Sequence, residues 1–256
     1  MSDQIDSAVD SIDGVRWIAP DWPAPANVYA ASSLRSGGVS SAEYAALNLG
    51  DHVADDSAAV NENRMRLQQA LALPTSPKWL TQVHGVECVD AASSAIGAEA
   101  DASFTTQAGV VSAVLTADCL PVLLCDKQGT TVAAVHAGWR GLAAGVIEST
   151  ITAMGESREL MAWLGPAIGP QQFEVGDEVR AAFIARDATA VDAFAPVRMG
   201  HWLADLYQLA RIVLEKQGLS GIYGGEWCTV SRPDDFYSYR RDGVTGRMAT
   251  LIWMAG

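Results

Sequence analysis

Basic residues are scarce in this chain of 256 residues, in which 17 lysines and arginines face 30 aspartates and glutamates, for a formal net charge of −13. A surface with this excess of negative charge repels nucleic-acid phosphates and anionic lipid head groups. We therefore expect neither nucleic acid nor a membrane as a partner. An anionic small molecule would need a local basic pocket within this acidic field.

Long apolar runs and export features are also lacking. The first 13 residues are polar and acidic, without the basic and apolar regions of a signal peptide. The most apolar stretch, VVSAVLTADCLPVLLCD, is interrupted by Asp118 and Pro121 and falls short of the roughly 18 residues of a membrane span. We expect a cytoplasmic location, in which the four cysteines are reduced thiols and not disulfides.

No repeat, low-complexity tract or linker divides the chain, so we predict a flexible N-terminal tail over residues 1–14 and a single domain over residues 15–256. Segments rich in β-branched and aromatic residues, several of them apolar on both faces, alternate with helical patterns. The predicted fold is α+β, a layered α/β sandwich of mixed β-sheets flanked by helices. The predicted strands are NVYAAS, KWLTQVHGVECVD, VVSAVLTA, PVLLCD, TTVAAVH, MAWLG, GIYGG and ATLIWM, and the helices are SAAVNENRMRLQQALAL, GLAAGVIESTITAMG, VGDEVRAAFIAR and LADLYQLARIVLEKQG.

Three of the predicted strands carry a metal-binding side chain at or near their ends: His84 in KWLTQVHG, Cys119 in VVSAVLTADC and His136 in TTVAAVHAGWRG. Two imidazoles and a thiolate suit zinc or copper. Structural zinc sites usually have four protein ligands, whereas catalytic sites leave one position open. Three evident ligands therefore favour a catalytic metal site, unless Asp118 or His201 supplies a fourth.

Two other interpretations of the same residues remain open. In the first, Cys119 is a small buried apolar side chain and each histidine has an ordinary structural partner. In the second, Cys119 is a nucleophile and His136 its general base, without a metal, as in hydrolytic and acyl-transfer enzymes. The remaining histidines, His52 and His201, are predicted to be ordinary and partly buried.

Three motifs, TQVHG, TADCLPV and HAGWRG, occur in this order and closely resemble one family. It is the family variously called multicopper polyphenol oxidoreductase (laccase-like), purine nucleoside phosphorylase and peptidoglycan-editing factor. The resemblance covers nearly the whole chain, since further matching segments are LRSGGVS, YAALNLGDHVADD, NENRMRL, GPAIGPQQFEVGDEV and CTVSRPDDFYSYRRDGVTGR.

The resemblance implies that the family's metal ligands fall on His84, Cys119 and His136. It also implies a fold similar to that of the cytotoxic necrotizing toxin deamidases. Because those toxins use a Cys–His pair, the metal-free interpretation stays open.

Arginines are the candidates for holding phosphate within this acidic chain. Arg140 follows His136 by four positions, at the predicted start of a helix, where backbone N–H groups favour anions. Arg64, Arg240 and Arg241 could complete a basic pocket, or could instead form surface salt bridges.

Three polar residues complete the candidate site. Asn48 and Gln82 lie in matching motifs and are candidates for contacts to ribose or base. Asp118 adjoins Cys119 and is the candidate carboxylate for proton transfer, although on a strand it would point away from its neighbour. The zinc deaminase motifs H-x-E and P-C-x-x-C do not occur, so any deamination would need another proton shuttle.

The function that the resemblance implies is zinc-dependent phosphorolysis of adenosine, inosine, guanosine or methylthioadenosine, with possible deamination of adenosine. The domain over residues 15–256 would then be catalytic, with a nucleoside and phosphate as small-molecule partners, and a monomer or weak homodimer. Copper-dependent polyphenol oxidation is less favoured because the chain has only four histidines, too few for several copper sites. Further alternatives are a peptidoglycan-precursor amidase with Cys119 as nucleophile and a non-catalytic, metal-stabilised partner protein.

Overall fold

The computed structural model describes residues 9–155 and 159–256, over which fourteen strands and six α-helices are formed. The strands are β1 (Val9–Ile12), β2 (Val15–Ile18), β3 (Val28–Ser33), β4 (Cys88–Asp90), β5 (Ala102–Thr105), β6 (Val111–Thr116), β7 (Leu120–Asp126), β8 (Val132–Ala137), β9 (Leu160–Leu164), β10 (Glu174–Gly176), β11 (Phe194–Arg198), β12 (His201–Ala204), β13 (Gly221–Gly224) and β14 (Met248–Met254). The helices are α1 (Ser57–Ala70), α2 (Trp139–Ala144), α3 (Val146–Met154), α4 (Asp177–Arg186), α5 (Leu206–Lys216) and α6 (Tyr239–Asp242).

Two large sheets form the centre of the molecule. One is antiparallel, with five strands in the order β1-β2-β3-β14-β6. The other is mixed, with six strands in the order β13-β9-β7-β8-β5-β4, of which the two outer pairs are parallel. A third, small sheet has three strands in the order β10-β12-β11, and these strands do not pair with those of the two large sheets.

Apolar side chains fill three successive layers. Between the two large sheets, Leu123 and Trp163 of the six-stranded sheet pack with Ile252 of the five-stranded one. On the outer face of the six-stranded sheet, alternate residues such as Val122 pack against α2 to α5, while Leu67 of α1 packs on the outer face of the five-stranded sheet. The molecule is thus a helix–sheet–sheet–helix sandwich.

The predicted α+β class, with mixed sheets flanked by helices, is confirmed. Every residue of β6, β7, β8 and β14 is buried, which agrees with the prediction from their two-sided apolar character. Within the described ranges, no helix combines the length and the apolar character that crossing a membrane requires.

Three local predictions need correction. The segment KWLTQVHGVECVD is mostly a loop, with isolated bridges at Lys78 and Thr81, and only its last three residues form a strand. The long helix predicted over GLAAGVIESTITAMG is broken at Gly145, whose φ of 110° is left-handed backbone that glycine adopts without a steric penalty. The tail predicted over residues 1–14 does not extend across Val9–Ile12, which pair with β2; residues 1–8 lie outside the described part.

Candidate metal centre

A cleft of about 480 Å³ opens where four segments meet, namely the loop before β4, the β6–β7 turn, the end of β8 and the start of α2. Its volume lies within the range of small-molecule sites. His84, Cys119 and His136 come from three of these segments and all line the cleft. The three candidate ligands predicted from separate motifs are therefore brought together.

The candidate ligand atoms of the trio all lie within 4.8 Å of one another. Cys119 Sγ lies 3.7 Å from His84 Nε2, and the two imidazole rings meet edge to face with centroids 4.8 Å apart. His136 is buried, Cys119 half-buried and His84 exposed, so the group is open on the side of the cleft. This arrangement leaves room for a further ligand from solvent or substrate.

Asp101 orients His136. The Nδ1–H of His136 donates to Asp101 Oδ1 at 2.7 Å, which leaves Nε2 as the nitrogen available to the trio. A carboxylate in this position fixes the tautomer and the orientation of a histidine ligand. Burial acts to raise the pKa of Asp101, but the hydrogen bonds from His136 and from backbone amides outweigh it and keep the carboxylate ionised.

The same carboxylate shapes the loop that carries His84. The backbone N–H groups of Val83, His84 and Gly85 all donate to Asp101, at 3.1, 2.9 and 2.6 Å. His84 has a φ of 60°, an unusual conformation for a non-glycine residue, and these three bonds hold it there. One buried side chain thus sets the geometry of both imidazoles.

Gly138 allows the trio to come together at the end of β8. A Cβ atom at this position would lie 2.8 Å from His84 Cδ2 and 3.1 Å from Cys119 Sγ. Real Cβ contacts are essentially never as short as the first of these distances, and the second is unusually tight, so a side chain here would displace His84. The glycine in HAGWRG is therefore a steric requirement of the site.

The surroundings of Cys119 also favour metal binding, because they favour its thiolate form. Burial acts to raise the pKa of its thiol, but the neighbouring charge of His136 and hydrogen bonds from both imidazoles outweigh this effect and lower the pKa to about 6. The thiols of half-buried Cys88 and buried Cys125, by contrast, have pKa values raised to about 12 by burial. Of these three cysteines, Cys119 is therefore the one that is mostly a thiolate at neutral pH.

The donor set fits a zinc ion and also suits copper, because both metals accept imidazole nitrogen and thiolate sulfur. A fourth protein ligand is not found among the described residues. Asp118 accepts hydrogen bonds from Thr229, Ser238 and the backbone N–H of Arg240, and His201 lies with Glu174 on the small sheet. Three protein ligands and an open side are the pattern of a catalytic zinc site.

Four other predicted residues line the cleft: Asp118, Gln82, Arg140 and Arg240. Asp118 lies in the β6–β7 turn with a φ of 92°, and not on a strand as expected. The amide of Gln82 pairs with both the N–H and the carbonyl of Leu115, so it fastens the His84 loop to β6. The guanidinium of Arg140 stacks on Trp139, and that of Arg240 lies over Phe173.

Asn48, Arg64 and Arg241 are not among the residues that line the cleft. The amide of Asn48 is buried and bound to Gly50 and Asp55. Arg64 pairs with Asp51 and stacks on Trp79. Arg241 pairs with Asp242 and donates to backbone carbonyls, among them that of Phe236. The structure thus gives these three side chains contacts within the protein.

Sequence reasoning missed Asp101, Arg247 and an apolar wall that includes Trp139, Phe173 and Tyr239. It also passed over His52, which lines the cleft. Asp101 directly precedes β5, which was not among the predicted strands, so the sequence did not indicate that this carboxylate is buried and requires partners. Arg247 is the last residue of the matching segment CTVSRPDDFYSYRRDGVTGR, but its place in the cleft depends on how β14 pairs with distant β6.

The fold and the site together define a candidate metalloprotein in which two layered sheets hold a His/Cys/His trio at an open cleft. The family model described as multi-copper polyphenol oxidoreductase laccase matches residues 29–255, so the chain belongs to this family. The family prediction from the three ordered motifs is thereby confirmed.

Similar proteins come from several bacteria. The chain is 54% identical over 240 residues to a protein of Pseudomonas aeruginosa named purine nucleoside phosphorylase, covering 93% of this chain and 98% of that one. It is 52% identical, with the same coverage, to the Escherichia coli protein named purine nucleoside phosphorylase YfiH. A crystal structure from Neisseria meningitidis is 51% identical and superposes with a TM-score of 0.90 over 94% of this chain and 99% of that one.

Proposed function

We propose that this chain is a zinc-dependent purine nucleoside phosphorylase that accepts adenosine, inosine, guanosine or methylthioadenosine. The observation that carries the proposal is the open His84–Cys119–His136 trio in a cleft that is also lined by aromatic rings and by arginines without an ion pair to any described residue. The relatives named purine nucleoside phosphorylase, at 52–54% identity over nearly their whole length, support the same reaction.

The reaction transfers a ribosyl group from a base to phosphate. A phosphate oxygen forms a bond to C1′ as the bond between C1′ and the purine nitrogen breaks, and the electron pair leaves with the base, which takes up a proton. The products are a free purine and ribose 1-phosphate, or 5-methylthioribose 1-phosphate when the substrate is methylthioadenosine. When bound, zinc would supply Lewis-acid polarisation at the trio.

The residues of the cleft suit the two substrates. The rings of Trp139, Phe173 and Tyr239 offer apolar surface for a purine, which aromatic side chains bind by stacking. Arg140 and Arg240 bring positive charge to the same cleft, and such charge binds phosphate and stabilises charge that develops during reaction. We propose that the enzyme acts in the cytoplasm, as a monomer or weak homodimer.

A nucleophilic thiol is the second candidate, because Cys119, His136 and Asp101 also form a nucleophile–base–orienter arrangement. Such an enzyme could cleave an amide in a peptidoglycan precursor. His84 disfavours this candidate, because its imidazole has no role in the arrangement of Cys119, His136 and Asp101. A multicopper oxidase is disfavoured by ligand number, because His52 and His201 lie outside the trio.

The test is product analysis with zinc-loaded protein. Purified protein is incubated with adenosine and phosphate, with or without a chelator, and products are identified by mass spectrometry and ³¹P NMR. We expect adenine and ribose 1-phosphate, and their loss with chelator and in His84→Ala. Inosine formation would reveal an additional deaminase activity. Absence of turnover of all four nucleosides by zinc-loaded protein would refute the proposal.

The thiol alternative gives a different result in the same preparation. Amide cleavage of a UDP-muramyl-amino acid that survives chelation and is lost in Cys119→Ser would support the nucleophile. Loss of that cleavage on chelation would contradict it.

A further inference from the structure

Arg247 is a half-buried cation in the cleft, just before β14. Its Nη1 donates to the carbonyls of Thr245 and Gly246, and it makes no ion pair with any described residue. Burial lowers the pKa of the guanidinium, which remains charged because an arginine pKa lies far above neutrality. A partly buried charge without a counterion is costly, and an anionic ligand would offset that cost.

Arg247 differs from the other two arginines of the cleft. Arg240, like Arg247, donates from one terminal nitrogen to two backbone carbonyls, those of Gln172 and Glu174, but its side chain is exposed. Arg140 is exposed and stacked on Trp139. Arg247 is the more buried of the three, so a hydrogen bond from it to an anion would be screened least by water.

Two negative groups that act on Arg247 already have other partners. The negative charges of Cys119 and Asp118 both act on its guanidinium, which places Arg247 near the trio. Cys119 belongs to the candidate metal centre, and both Asp118 oxygens accept hydrogen bonds from Thr229, Ser238 and a backbone amide. Neither group is a direct partner of Arg247 within ion-pair distance.

A buried network fixes the position of Arg247. Its backbone N–H donates to the side-chain oxygen of Asn48 at 2.9 Å. The side-chain amide of Asn48 in turn donates to Asp55, and the backbone carbonyl of Asn48 accepts from the Asn63 side chain. Asn48, for which the sequence suggested a substrate contact, thus holds the backbone at Arg247.

Gly50 places His52 beside Arg247. A Cβ at Gly50 would lie 2.7 Å from Arg247 Cγ and 3.4 Å from His52 Cε1, so the two side chains flank the same glycine. Burial and the charge of Arg247 lower the pKa of His52 more than the carboxylate of Asp51, 3.7 Å from His52 Nδ1, raises it. The exposed imidazole is therefore neutral at pH 7, with one N–H to donate. A guanidinium and an imidazole thus present hydrogen-bond donors in the same part of the cleft.

We propose that Arg247 and His52 form the subsite that binds inorganic phosphate as the second substrate of the reaction. This proposal rests on the proposed phosphorolysis and assigns one substrate to particular residues. The ligand chemistry is that of a tetrahedral oxyanion, which a guanidinium recognises through charge-assisted hydrogen bonds. The alternative source of the same chemistry is a phosphate group carried by an organic substrate.

The test separates the two substrates by their KM values in zinc-loaded enzyme. For Arg247→Met, we expect the KM for phosphate to rise about 10- to 100-fold, the loss expected for a charge-assisted hydrogen bond, and the KM for inosine to change less than about threefold. Arg247→Lys should recover part of the loss because it restores the charge. Arg66→Met is the matched control, since Arg66 pairs with Glu62 on α1 away from the cleft.

A second measurement does not require turnover or a folded Arg247 variant. In the wild type, the His52 imidazole is titrated by NMR and assigned with His52→Gln. Saturating phosphate should raise the pKa of His52, because an adjacent anion stabilises the imidazolium. Ribose 5-phosphate in place of inorganic phosphate distinguishes the two sources of the anion, and a shift caused by the ester alone would contradict the proposal.

The outcomes also separate this proposal from the proposed function. If inosine is phosphorolysed but neither the KM for phosphate in Arg247→Met nor the His52 pKa changes, the subsite is overturned and the function stands. If His52 responds to phosphate but no nucleoside is cleaved, the anion site stands and the function fails.

Discussion

At the scale of single residues, Asp101 is the centre of the site. Its carboxylate accepts the His136 Nδ1–H and three backbone N–H groups of the His84 loop. Four donors converging on one buried carboxylate hold both imidazoles in position before any metal binds. This preorganisation is the property expected of a functional metal centre.

We expect Asp101→Asn to weaken zinc binding by about 10- to 100-fold, because removing the acidic partner of a histidine ligand has this effect in other zinc proteins. The asparagine amide also places N–H groups against the N–H groups of the loop. Zinc affinity is measured by competition with a chromophoric chelator. Asp90→Asn is the control, since Asp90 only caps a turn with Ala92 and Ser93. Equal zinc affinity in Asp101→Asn and wild type would contradict the assigned function of Asp101.

The lowered pKa of Cys119 predicts how the reactivity of its thiol depends on pH. In chelator-treated protein, its pKa of about 6 leaves it mostly thiolate at neutral pH. Alkylation by iodoacetamide should therefore persist as the pH falls towards 6 and decline below it, whereas an ordinary thiol, with a pKa of about 8.5, already loses reactivity below that value. The modified residue is identified by peptide mass spectrometry. A midpoint above about pH 8 would contradict the electrostatic account.

Cys88 and Cys125 provide the internal control for this titration. Their pKa values are raised to about 12 by burial, so neither should react in the folded protein at neutral pH. Alkylation of either one at the rate of Cys119 would indicate unfolding during chelation.

At the scale of structural elements, the site depends on the loop before β4 and on the turn after β8. Asp101 lies one residue before β5, and its neighbour Ala102 pairs with Val135 of β8 beside His136. Antiparallel pairing of β5 with β8 thus brings a carboxylate to an imidazole 35 residues away in the chain. The His84 loop is then fastened on one side by Asp101 and on the other by Gln82.

The turn after β8 predicts a steric effect at Gly138. In Gly138→Ala, the new Cβ would contact His84 and Cys119 too closely, so we expect a large loss of zinc affinity with little change in the free energy of unfolding of the metal-free protein. Gly85→Ala is the matched control, because its Cβ would have no neighbour closer than 3.4 Å. Zinc binding is measured by calorimetry. Similar zinc affinities for the two variants would contradict the steric account.

The sequence allowed the trio to be predicted because its ligands lie in three long motifs in a fixed order. It also allowed the two-sided burial of β6, β7 and β8 to be predicted, since their apolar residues leave no polar face. The conformation of His84 could not be predicted, because the carboxylate that stabilises its positive φ comes from a different segment. For the same reason, Arg247 and His52 were missed, since only the folded chain brings them to the cleft.

At the scale of the whole molecule, the acidic overall charge contrasts with the arginines that line the cleft. The net charge of −13 makes anionic polymers poor partners. Arg140, Arg240 and Arg247 concentrate positive charge where the trio lies. Such a local field favours a small anion that fits inside the cleft over a large one that must contact the surface.

The two-sheet core predicts that stability and metal binding can be separated. Ile252 is fully buried between the large sheets, so Ile252→Ala should lower the free energy of unfolding by about 2–5 kcal/mol. Zinc stoichiometry should not change, because no ligand comes from β14. Ile96→Ala is the control, since Ile96 is 91% exposed. Unfolding is followed in urea, and a cost below about 1 kcal/mol would contradict the packing of the two sheets.

The central claim is that His84, Cys119 and His136 bind one metal ion and leave a coordination position open. X-ray absorption at the zinc edge of the zinc-loaded protein tests it most directly. We predict one sulfur at about 2.3 Å, two imidazole nitrogens at about 2.0–2.1 Å and one further light atom, with the sulfur lost in Cys119→Ser. A first shell without sulfur, or one with more than one sulfur, would contradict the account.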